Sequence, residues 1–266
     1  MKSLLLSALG RVRLQGWAYR AYENVASLRA LGRRPPPADD GLPVPPPRLI
    51  VRVAGTPDAR WFLESGRTAA SAIRAALDRA GRPLDEFDSI LDFGCGCGRV
   101  TRRWAALDGV EVHGSDRNAA AIAWCRANLG FARFETNELA PPLAHPSGTF
   151  DLVYALSVFT HLTEELGLAW VEELARVLRP DGYVLLTTHG ARYRDGLTPK
   201  ERARFDAGEL VVRRPEAVGS NLCAAFHPRA YVQETLAGPL EPVEFVPEGA
   251  TGNPHQDLHL LRKPKP

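Results

Sequence analysis

Short apolar runs alternate along this chain with stretches whose apolar residues recur at helical spacing. Residues 90–93, 110–116, 132–139, 150–156, 183–188, 243–246 and 258–261 read as strands or strands with their exits. The run 150–156 is nearly continuous, the mark of a central parallel strand buried on both faces. Between the runs, Ile73, Ala76, Leu77 and Ala80 fall on one helical face. So do Ile122, Cys125 and Leu129, and later Trp170, Leu174, Val177 and Leu178. Thr56-Pro57 predicts the cap and first turn of a short helix through Trp61, Phe62 and Leu63, ending near Gly66. Gly81 stops the helix that follows. Strands and helices in alternation predict an α/β fold.

Three stretches break the pattern. Residues 1–34 hold seven Lys/Arg and one acid, Glu23, among Leu, Val, Trp17 and Tyr22. A basic amphipathic helix is expected there, docked on the domain, laid on an anionic membrane or covering a substrate pocket. Seven prolines in residues 35–47 exclude helix and sheet interior and predict an extended strap. From about 189 to 232 the pattern is irregular and mixed in charge. The chain thus divides into an N-terminal segment, 1–47, and a domain, 48–266, that carries this insert.

The chemistry concentrates after the first apolar run. Asp92-x-Gly94-x-Gly96-x-Gly98 places three glycines at alternate positions between a strand and residues 100–104, which can start a helix. Glycines there admit a ligand close to backbone, and a helix N-terminus adds partial positive charge. A dinucleotide fingerprint needs a glycine where Arg99 stands, and an acid at position 92 would repel a pyrophosphate. The same acid suits a ligand that carries an ammonium group. Asp116 ends the second strand, 22 residues past Gly94, where a carboxylate can accept both ribose hydroxyls of an adenosine.

The loop resembles motif I of the class I S-adenosylmethionine (SAM)-dependent methyltransferases, and the resemblance covers roughly residues 50–262. It extends to Ser157-Val158-Phe159-Thr160-His161-Leu162 after the fourth strand. It also takes in Leu178-Arg179-Pro180-Asp181-Gly182 before the fifth, where the family usually has Gly in place of Asp181. The resemblance implies a Rossmann-like, seven-stranded, mostly parallel sheet with helices on both faces and an antiparallel last strand. It implies SAM as cofactor, held by Asp92, Gly94, Cys95, Gly96, Gly98, Arg99, Asp116, Arg117, Asn137, Glu138, Leu156 and Ser157. Asn137 and Glu138 stand where the family holds adenine, and Arg99 is positioned to pair with the methionine carboxylate. Trp61, Phe62 and Gly66 match a lid over the methionine end, and the insert matches the substrate-facing segment.

Methyl transfer from a sulfonium needs alignment and exclusion of water, with a base only where the acceptor must lose a proton. His161, His189 and His227 fall in segments expected to border the pocket, with His161 the first choice as base. Arg192, Arg194 and Arg204 in the insert would suit an anionic acceptor.

Composition changes this picture little. The 266 residues carry a net charge of +2, and nothing after the fourth strand reads Asn/Asp-Pro-Pro-Tyr/Phe, so nucleic acid is not the expected partner. The 4 cysteines form no C-x-x-C pair, so neither zinc nor a disulfide framework is indicated and a reducing cytoplasm fits. Arginine far outnumbers lysine, as in GC-rich bacterial genomes. No stretch approaches the roughly 20 apolar residues of a membrane span. The expectation is a methyltransferase acting on a small-molecule hydroxyl or amine. The rivals are an NAD(P)-dependent oxidoreductase on a related sheet and a SAM-binding scaffold without activity.

Overall fold

The computed structural model describes Val25, residues 36–253 and residues 255–265. The helix expected over residues 1–34 lies outside the described residues, apart from Val25. Nine strands form among the described residues: β1 (Ser89–Phe93), β2 (Glu111–Asp116), β3 (Arg133–Thr136), β4 (Phe150–Ala155), β5 (Leu178–Thr188), β6 (Val211–Arg213), β7 (Ala224–Phe226), β8 (Glu241–Val246) and β9 (Asp257–Arg262). Seven of them build one sheet in the order β3-β2-β1-β4-β5-β9-β8. The neighbours from β3 to β5 pair in parallel, and β9 runs antiparallel to both β5 and β8. The last strand therefore inserts between its neighbours, as expected.

Both faces of the sheet are covered. On one, Leu91, Phe93, Val153, Val184 and Leu186 pack under Trp170, Leu174 and Val177. These three come from the helix Glu164–Val177. On the other, Ile90, Leu152, Leu185 and Leu260 pack under Ile73, Ala76 and Leu77 and against Trp104. Alternating side chains of one strand thus feed two cores, which is why the central runs read as continuously apolar.

The first helices differ from expectation. α1 (Pro47–Ala54) starts within the proline-rich stretch, with Pro47 at the first helical position where its missing N–H costs nothing. α2 (Ala59–Arg79) is one continuous helix capped by Asp58 rather than Thr56; the Asp58 carboxylate accepts from the amides of Arg60 and Trp61 at 2.8 and 3.2 Å. Gly66 does not end it. A Cβ there would strike the Arg99 carbonyl, so the glycine serves close packing within the helix. Gly81, with φ of +73°, does end the chain's helical path.

After the glycine loop the expected helix is only a 3-10 turn, Thr101–Trp104. Its arginines turn instead to the strap. Arg102 is buried and grips Asp40 through Nε and Nη2 at 2.6 and 2.7 Å, and also donates to the carbonyls of Leu42 and Pro43. Arg103 pairs with Asp39 at 2.6 Å. Residues 36–46 accordingly run without helix or strand, clamped beside the loop.

Two further helices follow in chain order, α3 (Ala119–Asn128) and α4 (Glu164–Val177), and α5 (Pro199–Asp206) lies in the insert. β5 begins at Leu178, so the expected turn at 178–182 belongs to the strand; Asp181 takes φ of +66° within it. The insert is more ordered than its sequence suggests. β6 and β7 pair antiparallel, and Leu197, Phe205, Val211 and Phe226 form a small core of their own.

Candidate functional site

The carboxyl ends of β1, β2, β3 and β4 open into one cleft of about 1360 Å³. Parallel strands place all their exits on one edge of the sheet, so residues far apart in sequence meet there. Of the residues expected to hold a cofactor, Asp92, Gly94, Cys95, Gly96, Arg99, Asp116, Arg117, Asn137, Glu138, Leu156 and Ser157 all line the cleft. Gly98 does not. Its φ is +75°, and a Cβ would strike Leu129 beneath α3, so it shapes the turn from below.

The glycine loop is held to β2 through backbone and carboxylate. The amides of Gly94 and Cys95 donate to the Ser115 carbonyl at 2.8 and 3.0 Å. Asp116 then accepts from Gly96 N at 2.9 Å and from Asn118 N at 2.7 Å. Asn118 itself caps α3, which puts Asp116 just ahead of the helix rather than at its cap. Burial raises the Asp116 pKa, and the two amides oppose that shift. Both carboxylate oxygens keep lone pairs for further donors.

Asp92 is 4% exposed and accepts from Thr101 Oγ1 at 2.6 Å. Burial pushes its pKa up to about 6, against the hydroxyls of Thr101 and Tyr154 and the charge of Arg99. A cationic ligand beside it would favour the ionised form. Arg99 is buried too, yet every acceptor it meets is neutral: Ser65 Oγ at 3.2 Å, the Gly252 carbonyl at 3.2 Å and Asn253 Oδ1 at 2.6 Å. Its guanidinium stacks 5.9 Å from the Trp61 ring centroid.

His161 is the one expected base that lines the cleft. Its Nδ1 lies 2.7 Å from the Cys223 carbonyl, which can only accept, so Nδ1 carries the proton and Nε2 keeps its lone pair. Burial lowers its pKa, opposed by that bond. His189 and His227 are corrected by the structure: neither lines the cleft. His189 packs against Tyr193 and Phe226, with burial and the charge of His161 lowering its pKa to about 4. His227 is buried, with its pKa lowered to about 3 by burial and by His259 and His189.

The expected arginine cluster is likewise displaced. Arg194 pairs with Asp206 at 2.6 Å, Arg204 with Glu209 at 2.8 Å, and Arg192 lies 3.9 Å from Glu248; none of the three lines the cleft. What the insert brings to the site is the segment 217–222. Gly219 N donates to the His161 carbonyl at 2.8 Å, and Arg117 Nη1 donates to the Gly219 carbonyl at 2.8 Å. Of the expected lid, Trp61 lines the cleft, whereas Phe62 is core and Gly66 faces Arg99. α1 adds Arg52 and Val53, with Val53 placed over Gly96.

Sequence reasoning missed Asn253 and Gln256, in the turn between β8 and β9. Gln256 Nε2 and Asn253 Nδ2 both donate to Ser157 Oγ, at 2.7 and 2.6 Å. Ser157 N donates to Thr187 Oγ1 at 2.8 Å, and these bonds hold Ser157 at φ of +59°. The one local signal, a cluster of Gly, Thr and Asn, marks only a turn.

These residues fit an adenosine-bearing sulfonium amino acid. Gly94 and Gly96 both take positive φ, and a Cβ on them would strike Val158 and Val53, so the loop backbone that lines the cleft has room only for glycine at these positions. Asn137 Oδ1 is buried with no partner among the described residues, so it can accept from an exocyclic amine. Asp116, Arg99 and Asp92 supply an acceptor for hydroxyls, a cation and an anion around one space.

Comparison with known proteins agrees. The family model described as "Methyltransferase domain" matches residues 90–182. Malonyl-[acyl-carrier protein] O-methyltransferase of Enterobacter lignolyticus is 35% identical over 129 residues, 48% of this chain and 47% of that one. 27-O-demethylrifamycin SV methyltransferase of Amycolatopsis mediterranei is 30% identical over 134 residues, 47% of this chain and 48% of that one. The chain thus spans about half the length of the curated relatives it matches. Among solved structures, an S-adenosylmethionine dependent methyltransferase from Mesorhizobium loti superposes with TM-score 0.54 at 21% identity, covering 72% of this chain and 98% of that one. The Burkholderia thailandensis 1,6-didemethyltoxoflavin-N1-methyltransferase, with bound S-adenosylhomocysteine, gives 0.52 at 19%, covering 76% and 80%. At those identities the likeness is one of fold.

Proposed function

We propose, from the premise that this chain carries a class I SAM-dependent methyltransferase domain, that it transfers the methyl group of SAM to a hydroxyl or amine of a small-molecule acceptor. The observation that carries this reading is the meeting of Asp116, Asp92, Arg99 and His161 around one cleft beside the Gly94–Gly96 loop. Bound SAM supplies a methyl already activated on sulfonium sulfur, so the chain has to bind, orient and exclude water.

Asp116 accepts the ribose hydroxyls while its bonds to Gly96 and Asn118 keep the carboxylate in place. Asn137 and Glu138 hold the adenine edge. Asp92 faces the cationic end, and Arg99 the carboxylate. His161 Nε2 takes the proton of an acceptor hydroxyl; the Cys223 carbonyl fixes the tautomer in which this nitrogen is basic. A lowered pKa keeps that imidazole neutral at physiological pH. Small-molecule ligands typically fill pockets of about 300–1,000 Å³. The cleft, at about 1360 Å³, has room for an acceptor beside the nucleoside. The two curated relatives are named for O-methyl transfer to malonyl-[acyl-carrier protein] and for methylation of 27-O-demethylrifamycin SV, which supports an acceptor other than nucleic acid.

Calorimetric titration with SAM, S-adenosylhomocysteine and NAD tests this reading, repeated on Asp116→Ala. Binding of the two sulfur nucleotides alone is expected, weakened about a hundredfold in the variant by loss of charge-assisted bonds. Binding of NAD alone would overturn it.

A further inference from the structure

We infer that Asn253, in the turn between β8 and β9, is a positioning residue that presents Arg99 as the receptor for the carboxylate of the cofactor's amino-acid end. The inference rests on the SAM reading above and adds a residue that the glycine motif does not contain.

A buried guanidinium normally sits against a carboxylate, because neutral acceptors replace water poorly around a full charge. Arg99 is 9% exposed and forms no ion pair among the described residues. Its Nη1 donates to Ser65 Oγ and to the Gly252 carbonyl, and its Nη2 to Asn253 Oδ1. Those bonds orient the fork without neutralising it. Asp92 lies near enough to act on its charge but not to pair with it. The site therefore holds an oriented, uncompensated cation at the wall of the cleft, which suits a bidentate anion.

Asn253 is well placed to do this because it is itself fixed at both ends. Its Nδ2 donates to Ser157 Oγ at 2.6 Å, and Ser157 is locked by Gln256 and Thr187. The preceding Gly252 packs so closely on α2 that a Cβ would strike the Ser65 carbonyl and Ala69. The turn is thus keyed into α2, and Asn253 links the end of β4 to the arginine. An amide serves this purpose where a carboxylate would fail. Aspartate at 253 would keep the contact with Arg99 but occupy the charge that the ligand needs.

The test uses the full chain and two ligands, S-adenosylhomocysteine and 5′-methylthioadenosine, which share adenosine and thioether while only the first carries the amino acid. In Asn253→Asp and Asn253→Ala, affinity for S-adenosylhomocysteine is expected to fall by about tenfold to a hundredfold. Affinity for 5′-methylthioadenosine should stay within about twofold, which also certifies that the variants are folded. A parallel loss for both ligands, or no loss for either, would overturn the inference. Wild-type protein that binds neither would remove the SAM reading, and this inference with it. Wild-type protein that binds both equally would leave the SAM reading intact and overturn the role given to Arg99 and Asn253.

Discussion

The wall of the cleft at the ends of β1–β4 and the wall made by the insert and the β8–β9 turn present their polar atoms in opposite ways. On the first wall, charge faces the cleft: Asp92, Asp116 and Arg99 are all buried or half-buried there without ion pairs among the described residues. In the insert, charge is spent locally. Arg194, Arg204 and Arg213 each meet a carboxylate of the same segment, and what reaches the cleft is the near-neutral stretch 217–222. A charged side chain therefore points to function by what it lacks. An arginine that already has its carboxylate contributes to packing and solubility, whereas a buried arginine ringed by neutral acceptors is kept ready for an anion.

The largest effect expected from breaking this contrast is on the strap. Arg102→Ala leaves Asp40 half-buried with only the Leu42 amide and a 3.7 Å contact to Arg103, and leaves the Leu42 and Pro43 carbonyls without their guanidinium donor; it should cost about 3 kcal/mol in denaturant unfolding. An unchanged midpoint would mean the strap is not anchored there. Next comes the base. With an acceptor found by screening, His161→Ala should lower kcat by about 10²–10⁴-fold, while His189→Ala should leave it within a few-fold. Equal losses would argue that the two rings, with centroids 6.5 Å apart, act together.

A smaller effect is read in pH. His227 has its folded pKa lowered to about 3, against about 6.5 when unfolded. Between those values the unfolded chain binds the extra proton, so its contribution is whole above pH 6.5 and is lost as pH falls, by up to about 1.4 kcal/mol per pH unit. Asp92, raised to about 6, slopes the other way between about pH 4 and 6, so the test is the difference between wild type and His227→Asn. That difference should narrow steadily below pH 6.5; a constant gap would contradict the burial of a neutral ring. The smallest effect belongs to the insert. Glu209→Ala removes the Arg204 pair at 2.8 Å on an exposed surface and should cost under about 1 kcal/mol, with unchanged affinity for S-adenosylhomocysteine.

Much of the first wall was legible in the sequence, because glycines at positive φ and strands buried on both faces leave few residue choices. Asp92, Gly94, Gly96 and Asp116 announce a ligand through spacing alone. The second wall was not legible. β6 and β7 are three residues each, too short for alternation to register, so the insert read as irregular. Gly66 misled for a different reason: glycine marks both a helix end and a close approach, and only the neighbouring Arg99 carbonyl separates the two. The histidines show the same limit, since residue type nominated three and topology brought only His161 to the cleft. Asn253 gave no signal, because its partners Arg99 and Ser157 lie more than ninety residues away in sequence.

The most direct measurement of the central claim is a crystal structure of the full chain with S-adenosylhomocysteine. The account predicts the ribose hydroxyls on Asp116, adenine at Asn137, and the carboxylate on Arg99 with Asn253 still bonded to it. A nucleoside bound away from Asp116, or a carboxylate facing solvent while Arg99 keeps only its neutral partners, would contradict it.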